Sequence, residues 1–266
     1  MVTGRNTQLY QFLAVSLVVT ATLWLAYDSA HPQRAWLFDL TLIVGLCVLL
    51  GVWLMGLPIG ILISNRNLMS LSRLQVVSWT VVIFSGYIVV VMQRILHQVP
   101  DPLSVTIDNS LWAVMGISFA SFVGTPLILN GKTQTDASPG AIRAASIALK
   151  EPSSEIQQNA QGKLYSNPTP QDARFSDVFQ GDEIGNTAYV DVSKLQMFIL
   201  SVLLVGAYCS DLWHMLAGFD CSVGHTNFAN LNHLPAFSPD TLKLLAVSHA
   251  GYLTFKAVNH TDSASQ

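Results

Sequence analysis

The feature that most constrains this chain is a series of long apolar stretches without a charged side chain. Five stretches contain no Asp, Glu, Lys or Arg: Leu9–Tyr27, Leu40–Ser64, Leu74–Gln93, Asn109–Asn130 and Leu195–Ser210. Charged residues make up 11% of the whole chain, against about 25% in an ordinary soluble domain. Because a run of about 18 or more such residues is long enough to cross a bilayer, the pattern predicts five membrane-spanning helices.

A sixth span is predicted at Asp240–Val258, where Lys243 and Lys256 interrupt the apolar pattern. Both lysines lie near the ends of the stretch, where a long side chain carries its ammonium group back to the lipid headgroups. A re-entrant or interfacial helix is the alternative for this stretch.

Two similar hexapeptides, LSRLQV at Leu71–Val76 and VSKLQM at Val192–Met197, each precede a long apolar run. Shifts of 121 and 130 residues align the first and second helix of one copy with those of the other. The sequence therefore predicts an all-α polytopic bundle of about six transmembrane helices with an internal parallel repeat of helical hairpins. The predicted units are an N-terminal hairpin (1–67), repeat 1 (68–130), a cytoplasmic loop (131–192) and repeat 2 with a short tail (193–266).

The recurring hexapeptides also predict how two helices begin. Ser-x-x-Gln is the pattern of a capping box, so Ser72 with Gln75, and Ser193 with Gln196, are expected to satisfy the first backbone amides. The second apolar stretch contains Pro58, which is expected to kink its helix, and a Gly56-x-x-x-Gly60 motif that suits packing against a neighbouring helix.

The distribution of positive charge predicts the orientation in the membrane. With the N-terminus inside, the inner segments hold ten of the 13 Lys and Arg residues, and the outer segments hold Arg34, Arg94 and Lys243. Segments between spans that are rich in Lys and Arg are typically cytoplasmic. Both termini are therefore expected in the cytoplasm, and the protein itself is expected in the inner (plasma) membrane of a cell.

The 131–192 loop is the main soluble segment. Its first part, to about Pro170, reads as a mobile linker with a short helix around Ala141–Lys150, because it is rich in Ala, Ser, Gln and Pro. Its second part places apolar anchors among acids, and the candidate partner-binding residues there are Phe175, Val178, Phe179, Asp182 and Glu183. Two readings stay open: this part docks on the chain's own bundle, or it binds a cytoplasmic protein.

Several polar residues in or beside the predicted spans are candidates for function. The candidates are Ser118, Ser248 and His249 within spans, and Asp211 and His214 at the outer end of the fifth span. A polar residue inside a membrane is a candidate for function, although a packing seam is the simpler reading of Ser118 and Ser248. Asp211, His214, Asp220, Cys221, His225 and His233 match no compact ligand spacing, so no metal site is predicted.

The chain lacks a phosphate-binding loop, a Gly-x-Ser-x-Gly motif and a His-Glu-x-x-His motif. No enzyme activity, cofactor or nucleic-acid partner is therefore expected. The partners considered are the lipid bilayer, a cytoplasmic protein bound through residues 131–192, and a second copy of the chain.

Two segments, GNTAYVDVSKLQMF (Gly185–Phe198) and LLAVSHAGYLTFKAV (Leu244–Val258), resemble a group of bacterial multi-pass membrane proteins. Members carry Gly-Asn-x-Ala, then Asp-x-x-Lys-x-Gln-Met before a span, and a closing Gly-Ile-Ser-His-Ala-Gly-Tyr. The matching positions are Gly185, Asn186, Ala188, Asp191, Lys194, Gln196, Met197 and Ser248 to Tyr252, with Ala246-Val247 in place of Gly-Ile. The resemblance covers about Leu68 to Val258 and implies a bacterial inner-membrane protein, without implying an activity or a ligand.

Two functions are consistent with these patterns. The first is a membrane scaffold or anchor that presents the 131–192 loop to a partner or assembly. The alternative is a channel or small transporter built on the two-hairpin repeat.

Overall fold

The computed structural model describes residues 13–24, 31–218 and 232–264, and the regular elements among them are all helical. The first apolar stretch contributes α1 (Leu13–Trp24). The other helices are α2 (Pro32–Met55), α3 (Leu71–Leu96), α4 (Asn109–Asn130), α5 (Pro139–Leu149), α6 (Ser153–Asn159), α7 (Val192–Ala217) and α8 (Pro239–Ala257). Short 3-10 turns at Gly60–Leu62, Gly131–Thr133, Pro170–Asp172 and Phe175–Phe179 connect them. The all-α prediction is confirmed.

Four helices are long and apolar enough to cross a membrane: α2, α3, α4 with its 3-10 extension to Thr133, and α7. These helices indicate a membrane-embedded protein. The described part of α1 is shorter than a span, and the 19 residues of α8 include Asp240, Lys243 and Lys256. The structure thus confirms four of the predicted spans by length and composition.

The helices α3, α4, α8 and α7 form a bundle in which each packs against the next and α7 packs back on α3. The helix α2 lies against α3 and α7. Trp36 of α2 donates its indole N–H to the hydroxyl of Ser85 in α3 at 3.0 Å, and its ring packs edge-on against Trp213 of α7. In the bundle core, the Trp79 ring meets the rings of Tyr208 and Phe237 edge-on, 6.2 and 5.7 Å away.

The capping prediction is wrong at both hexapeptides. Both helices begin two residues earlier than predicted, α3 after the N-cap Ser70 and α7 after the N-cap Asp191. The Asp191 carboxylate accepts hydrogen bonds from the amides of Ser193 and Lys194 at 2.9 and 3.2 Å. It therefore caps the helix in place of the Ser193 hydroxyl. Gln75, instead of reaching back along its own helix, donates a hydrogen bond across the bundle to Ser201 of α7.

The end of α2 also differs from the prediction, because Pro58 lies beyond the helix and does not kink it. Gly56 adopts the left-handed conformation, with φ of 72°, and terminates the helix after Met55. The chain then folds back until Gly60 touches Gly51 of the same helix. A Cβ atom on Gly51 would lie 2.7 Å from the carbonyl oxygen of Leu57, and one on Gly60 would lie 2.7 Å from the carbonyl oxygen of Gly51.

Residues 131–191, here named the cap, cover the end of the bundle where α3 and α7 begin. The predicted short helix is confirmed as α5, but the segment before Pro170 has more structure than a mobile linker. Ile142, Ile156 and Tyr165 are buried, and they form a small core with Leu68, Ala137, Ala145 and Ile184. Full burial of a large apolar side chain stabilises a fold by about 1.5–3 kcal/mol, which is why a few residues suffice to order this segment.

The fold-back of α2 yields a prediction for two glycine substitutions. Gly51→Ala places a methyl group against backbone atoms that cannot yield, and we expect it to lower stability by about 1–3 kcal/mol. Gly45→Ala in the same helix meets no atom within 4 Å, so it should be neutral or gain up to about 1 kcal/mol from helix propensity. Thermal unfolding of both variants in detergent tests this, and equal unfolding temperatures would contradict the close approach.

Candidate functional site at the capped end of the bundle

The most highly charged buried site of the described chain lies where the cap meets the bundle. Its centre is the dipeptide Asp182-Glu183, whose residues are 8% and 1% exposed. The backbone holds this dipeptide in place, because the carbonyl of Asp182 accepts from the amide of Tyr165 at 3.1 Å. Glu183 also accepts the amides of Asn186 and Thr187 on its carbonyl, which forms a tight turn.

Three cations surround the carboxylate of Asp182. The Arg66 guanidinium donates to Oδ1 at 2.5 Å, while the ammonium groups of Lys256 and Lys194 contact Oδ2, the latter at 3.3 Å. Arg66 also donates to the carbonyl oxygens of Tyr165 and Asp182, at 3.1 and 2.9 Å. The carboxylate is therefore fully engaged, and the donors reach it from three separate parts of the chain.

Glu183 has a different set of partners. The Lys132 ammonium donates to its Oε1 at 2.5 Å, and the backbone amide of His260 donates to both carboxylate oxygens at 3.1 and 3.0 Å. Lys132 donates as well to the carbonyl of Val258 at 2.5 Å. The residues after α8 thus close over Glu183.

These contacts join one end of all four bundle helices. Arg66 lies just before α3, and Lys132 just after α4; Lys194 lies in the first turn of α7, and Lys256 in the last turn of α8. A buried ion pair of this kind costs desolvation free energy that its geometry must offset, whereas removal of one partner is strongly destabilising. The two carboxylates therefore hold the four helix ends in one arrangement.

Two buried aspartates of the cap, Asp182 and Asp177, have opposite electrostatics. Burial alone would raise the pKa of Asp182, but the charges of Lys194, Lys256 and Arg66 outweigh it and hold the pKa well below its ordinary value. Asp177 accepts the amides of Met69 and Arg174 at 3.1 and 2.9 Å, yet its burial raises its pKa. Asp182 thus stays ionised at neutral pH.

A cavity of about 790 Å³ adjoins this cluster. It lies between the start of α3, the second half of α4 and the cap, and its lining includes Arg66, Arg73, Lys194 and Lys256. The only acidic residues among the described lining are Asp177 and Asp182. Cavities of this size are typical of ligand-binding sites.

The structure places the candidate partner-binding residues on the chain's own bundle for the most part. Val178 is fully buried, as are Asp182 and Glu183 apart from a small fraction of their surface. Phe179 packs edge-on against Phe198 of α7 with ring centres 5.0 Å apart. Phe175 joins the same aromatic group but stays 53% exposed.

The intramembrane candidates are dispersed. Ser118 and Ser248 are buried, and neither hydroxyl has a hydrogen-bond partner among the described residues. His249 does not pair with either of them, since its Nδ1 lies 2.6 Å from the hydroxyl of Ser121 in α4. Asp211 and His214 are exposed on α7.

The His, Cys and Asp residues at and beyond the outer end of the fifth span are only partly among the described residues. Asp220, Cys221 and His225 lie outside the described residues. Within the ranges that are described, no group of three or more His, Cys, Asp and Glu side chains could hold a metal ion.

The sequence reading missed Asp39 and the cation cluster. Asp39 is 0% exposed inside α2, and neither carboxylate oxygen has a hydrogen-bond partner in the described part of the chain. The predicted second span begins at Leu40, whereas α2 begins at Pro32, so Asp39 lies within the helix. The sequence does carry one signal for the cluster. A single cation recurs beside each predicted span, and these cations lie at the same end of the spans.

No family model, curated protein or solved structure matches the chain. The resemblance to bacterial multi-pass proteins therefore stays a prediction.

The cage around Asp182 predicts a large effect of a small change. Asp182→Asn leaves three buried cations without their shared counter-ion, and we expect a loss of about 3–5 kcal/mol in stability with faster hydrogen exchange of the cap amides. Asp136→Asn, which changes one exposed carboxylate of the cap, is the matched control and should exchange like the wild type. Hydrogen exchange followed by mass spectrometry in detergent measures both, and unchanged exchange in Asp182→Asn would contradict the cage.

Proposed function

We propose that the protein is a non-catalytic integral membrane scaffold or anchor that presents its cap to a cytoplasmic protein or assembly. The observation that supports this most strongly is the cross-linking of four helix ends by Asp182 and Glu183. A scaffold needs a surface held in a fixed orientation relative to the membrane, and this cluster supplies such a constraint.

The same cluster argues against alternating access as the main activity. A transporter that opens toward the capped side must separate helix ends there. Separation would leave either a buried carboxylate or several buried cations without partners, at a cost of several kcal/mol. The cap would have to detach before the bundle could open.

For the topology we propose six spans, with the capped end and both termini in the cytoplasm of a bacterial cell. The Lys and Arg bias supports this orientation. The charges of α8 lie near its two ends, where Lys256 pairs with Asp182 and Lys243 with Asp240. The central residues of α8 remain free of charge, as a span requires.

The parallel repeat also belongs to this proposal. In the bundle α3 packs beside α7, and α4 packs beside α8, so the helices that the shifts of 121 and 130 residues align lie next to each other. Two hairpins set side by side in this way support an origin by duplication.

The partner surface we propose is the outward face of α5. Ile147 is 72% exposed there, and its neighbours on the same face, Arg143 and Ala144, are exposed as well. Since Phe175 packs against an aromatic group of α7, it lies closer to the bilayer surface and is less suited to a cytoplasmic partner.

A channel or small transporter is the second candidate, and one observation favours it. Asp39 of α2 and the Nε2 atom of His249 in α8 are buried without a hydrogen-bond partner among the described residues. Ionisable groups within a membrane often belong to ion or proton pathways.

The scaffold proposal predicts one arrangement of the capped end. Spin labels at the exposed positions Asn130, at the end of α4, and Gln196, near the start of α7, should give a single narrow distance distribution in lipid nanodiscs. The native cysteines, Cys47, Cys209 and Cys221, are replaced beforehand. A second population in the otherwise unchanged protein would favour the transporter, while Asp182→Asn serves as the control that loosens the ends.

The partner surface predicts a position-specific cross-link. A photo-reactive residue in place of Ile147 should capture one discrete protein in native membranes. The matched control is the same residue in place of Leu203, which is 62% exposed on α7 and should face lipid. Identical products at both positions, or none at position 147, would count against the proposed surface.

A further inference from the structure

The cavity beside the cluster carries more positive than negative charge. Among its lining residues are four cations, Arg66, Arg73, Lys194 and Lys256, and two acids, Asp177 and Asp182. The single carboxylate of Asp182 is shared by three of the cations. Because an excess of buried positive charge is unfavourable, this end of the bundle favours an additional anion.

Arg73 is the cation best placed to bind such an anion. Its guanidinium makes one long hydrogen bond, 3.5 Å to the carbonyl of Ile61, and lies 5.9 Å from the centre of the Phe122 ring. No carboxylate of the described chain lies within ion-pair distance of it. A guanidinium has five N–H donors in a planar fork that suits phosphate, and most of those on Arg73 remain available.

The comparison of the two hexapeptides supports this reading. The shift of 121 residues pairs Arg73 with Lys194, and Ser70 with Asp191. In the second copy Asp191 caps the helix and Asp182 neutralises Lys194. In the first copy the N-cap Ser70 makes no hydrogen bond to the helix amides, and its hydroxyl contacts that of Ser72 instead. The first copy thus has no carboxylate at its N-cap and none of the described chain in an ion pair with Arg73, and the lining acid Asp177 accepts the amide of Met69 instead.

The outer side of the cavity is apolar. Its lining includes Phe122, Val123 and Leu127 of α4, and the last two are 51% and 70% exposed on the face that a bilayer would cover. The cavity therefore joins a basic polar region to a lipid-facing surface. Basic pockets between spans at a membrane interface are typical sites for anionic headgroups.

We propose that this cavity binds the phosphate-bearing headgroup of an anionic phospholipid. Arg73 and the first amides of α3 hold the phosphate, and the acyl chains lie along Val123 and Leu127 of α4. A soluble phosphate compound shares the headgroup chemistry but leaves this apolar face unused, so the lipid is the ligand that uses the whole cavity. This site is independent of the proposed scaffold role.

The test compares lipid binding to the full chain and its variants by native mass spectrometry. The probes are dioleoylphosphatidylglycerol, dioleoylphosphatidylcholine and inorganic phosphate, each added to delipidated protein in neutral detergent. Arg73→Gln removes one charge-assisted contact, and we expect it to weaken phosphatidylglycerol binding about tenfold. Arg174→Gln, at an exposed position of the cap outside the cavity, should bind like the wild type.

A second variant separates binding from folding. Ser70→Asp gives the first copy the capping carboxylate of the second copy, so it should maintain or raise the unfolding temperature in lipid-free detergent. The same carboxylate repels a phosphate, so phosphatidylglycerol binding should fall. Wild-type binding in both Arg73→Gln and Ser70→Asp overturns the site. Equal affinity for phosphatidylcholine also overturns it, and competition by inorganic phosphate at equal affinity overturns the lipid assignment.

Discussion

Burying the carboxylates of Asp182 and Glu183 costs free energy that only their cationic partners can offset. Those partners lie at one end of α3, α4, α7 and α8, so the cap can dock only when all four helices are in place. The rest of the capped end follows from this requirement. It orders the segment around α5 and α6, brings residues 258–264 against the cap and leaves a basic cavity beside α4.

We infer that the ion cluster contributes more to specificity than to stability. Apolar residues of similar volume could fill the same space, often without loss of stability. Helices packed on such a core could slide along one another, because apolar contacts are not directional. Arg66 donates to both the backbone carbonyl and Oδ1 of Asp182, and Lys194 and Lys256 converge on Oδ2, so sliding of the helices would break these directional contacts. The opposite end depends on different contacts, in which Arg94 donates to the carbonyls of Pro102 and Asp101, both at 3.0 Å.

The helical class could be read from the sequence because apolar runs without charge have few other solutions. Four spans follow from length and composition alone. The helix starts could not be predicted in the same way, because Asp191 and Ser193 are both typical N-cap residues and lie only two positions apart. The cluster could not be predicted from the sequence for another reason: Asp182 lies 116 residues from Arg66 and 74 residues from Lys256 along the chain. No local pattern encodes such pairs. The sequence predicts a partner-binding role for Asp182 and Glu183, because acids beside apolar anchors have the same pattern whether they bind a partner or pair with buried cations.

The contacts of residues 256–261 bear on how the protein is assembled in the membrane. Lys256 and the amide of His260 supply partners to Asp182 and Glu183, and the Thr261 hydroxyl accepts from the amide of Gly185 at 2.8 Å. The cap is synthesised before these residues. During translation Asp182 and Glu183 therefore lack part of their set of partners. Docking of the cap can therefore be completed only after α8 and the residues that follow it have been synthesised, and a chain that stops after α7 lacks both Lys256 and the amide of His260 as partners for these acids.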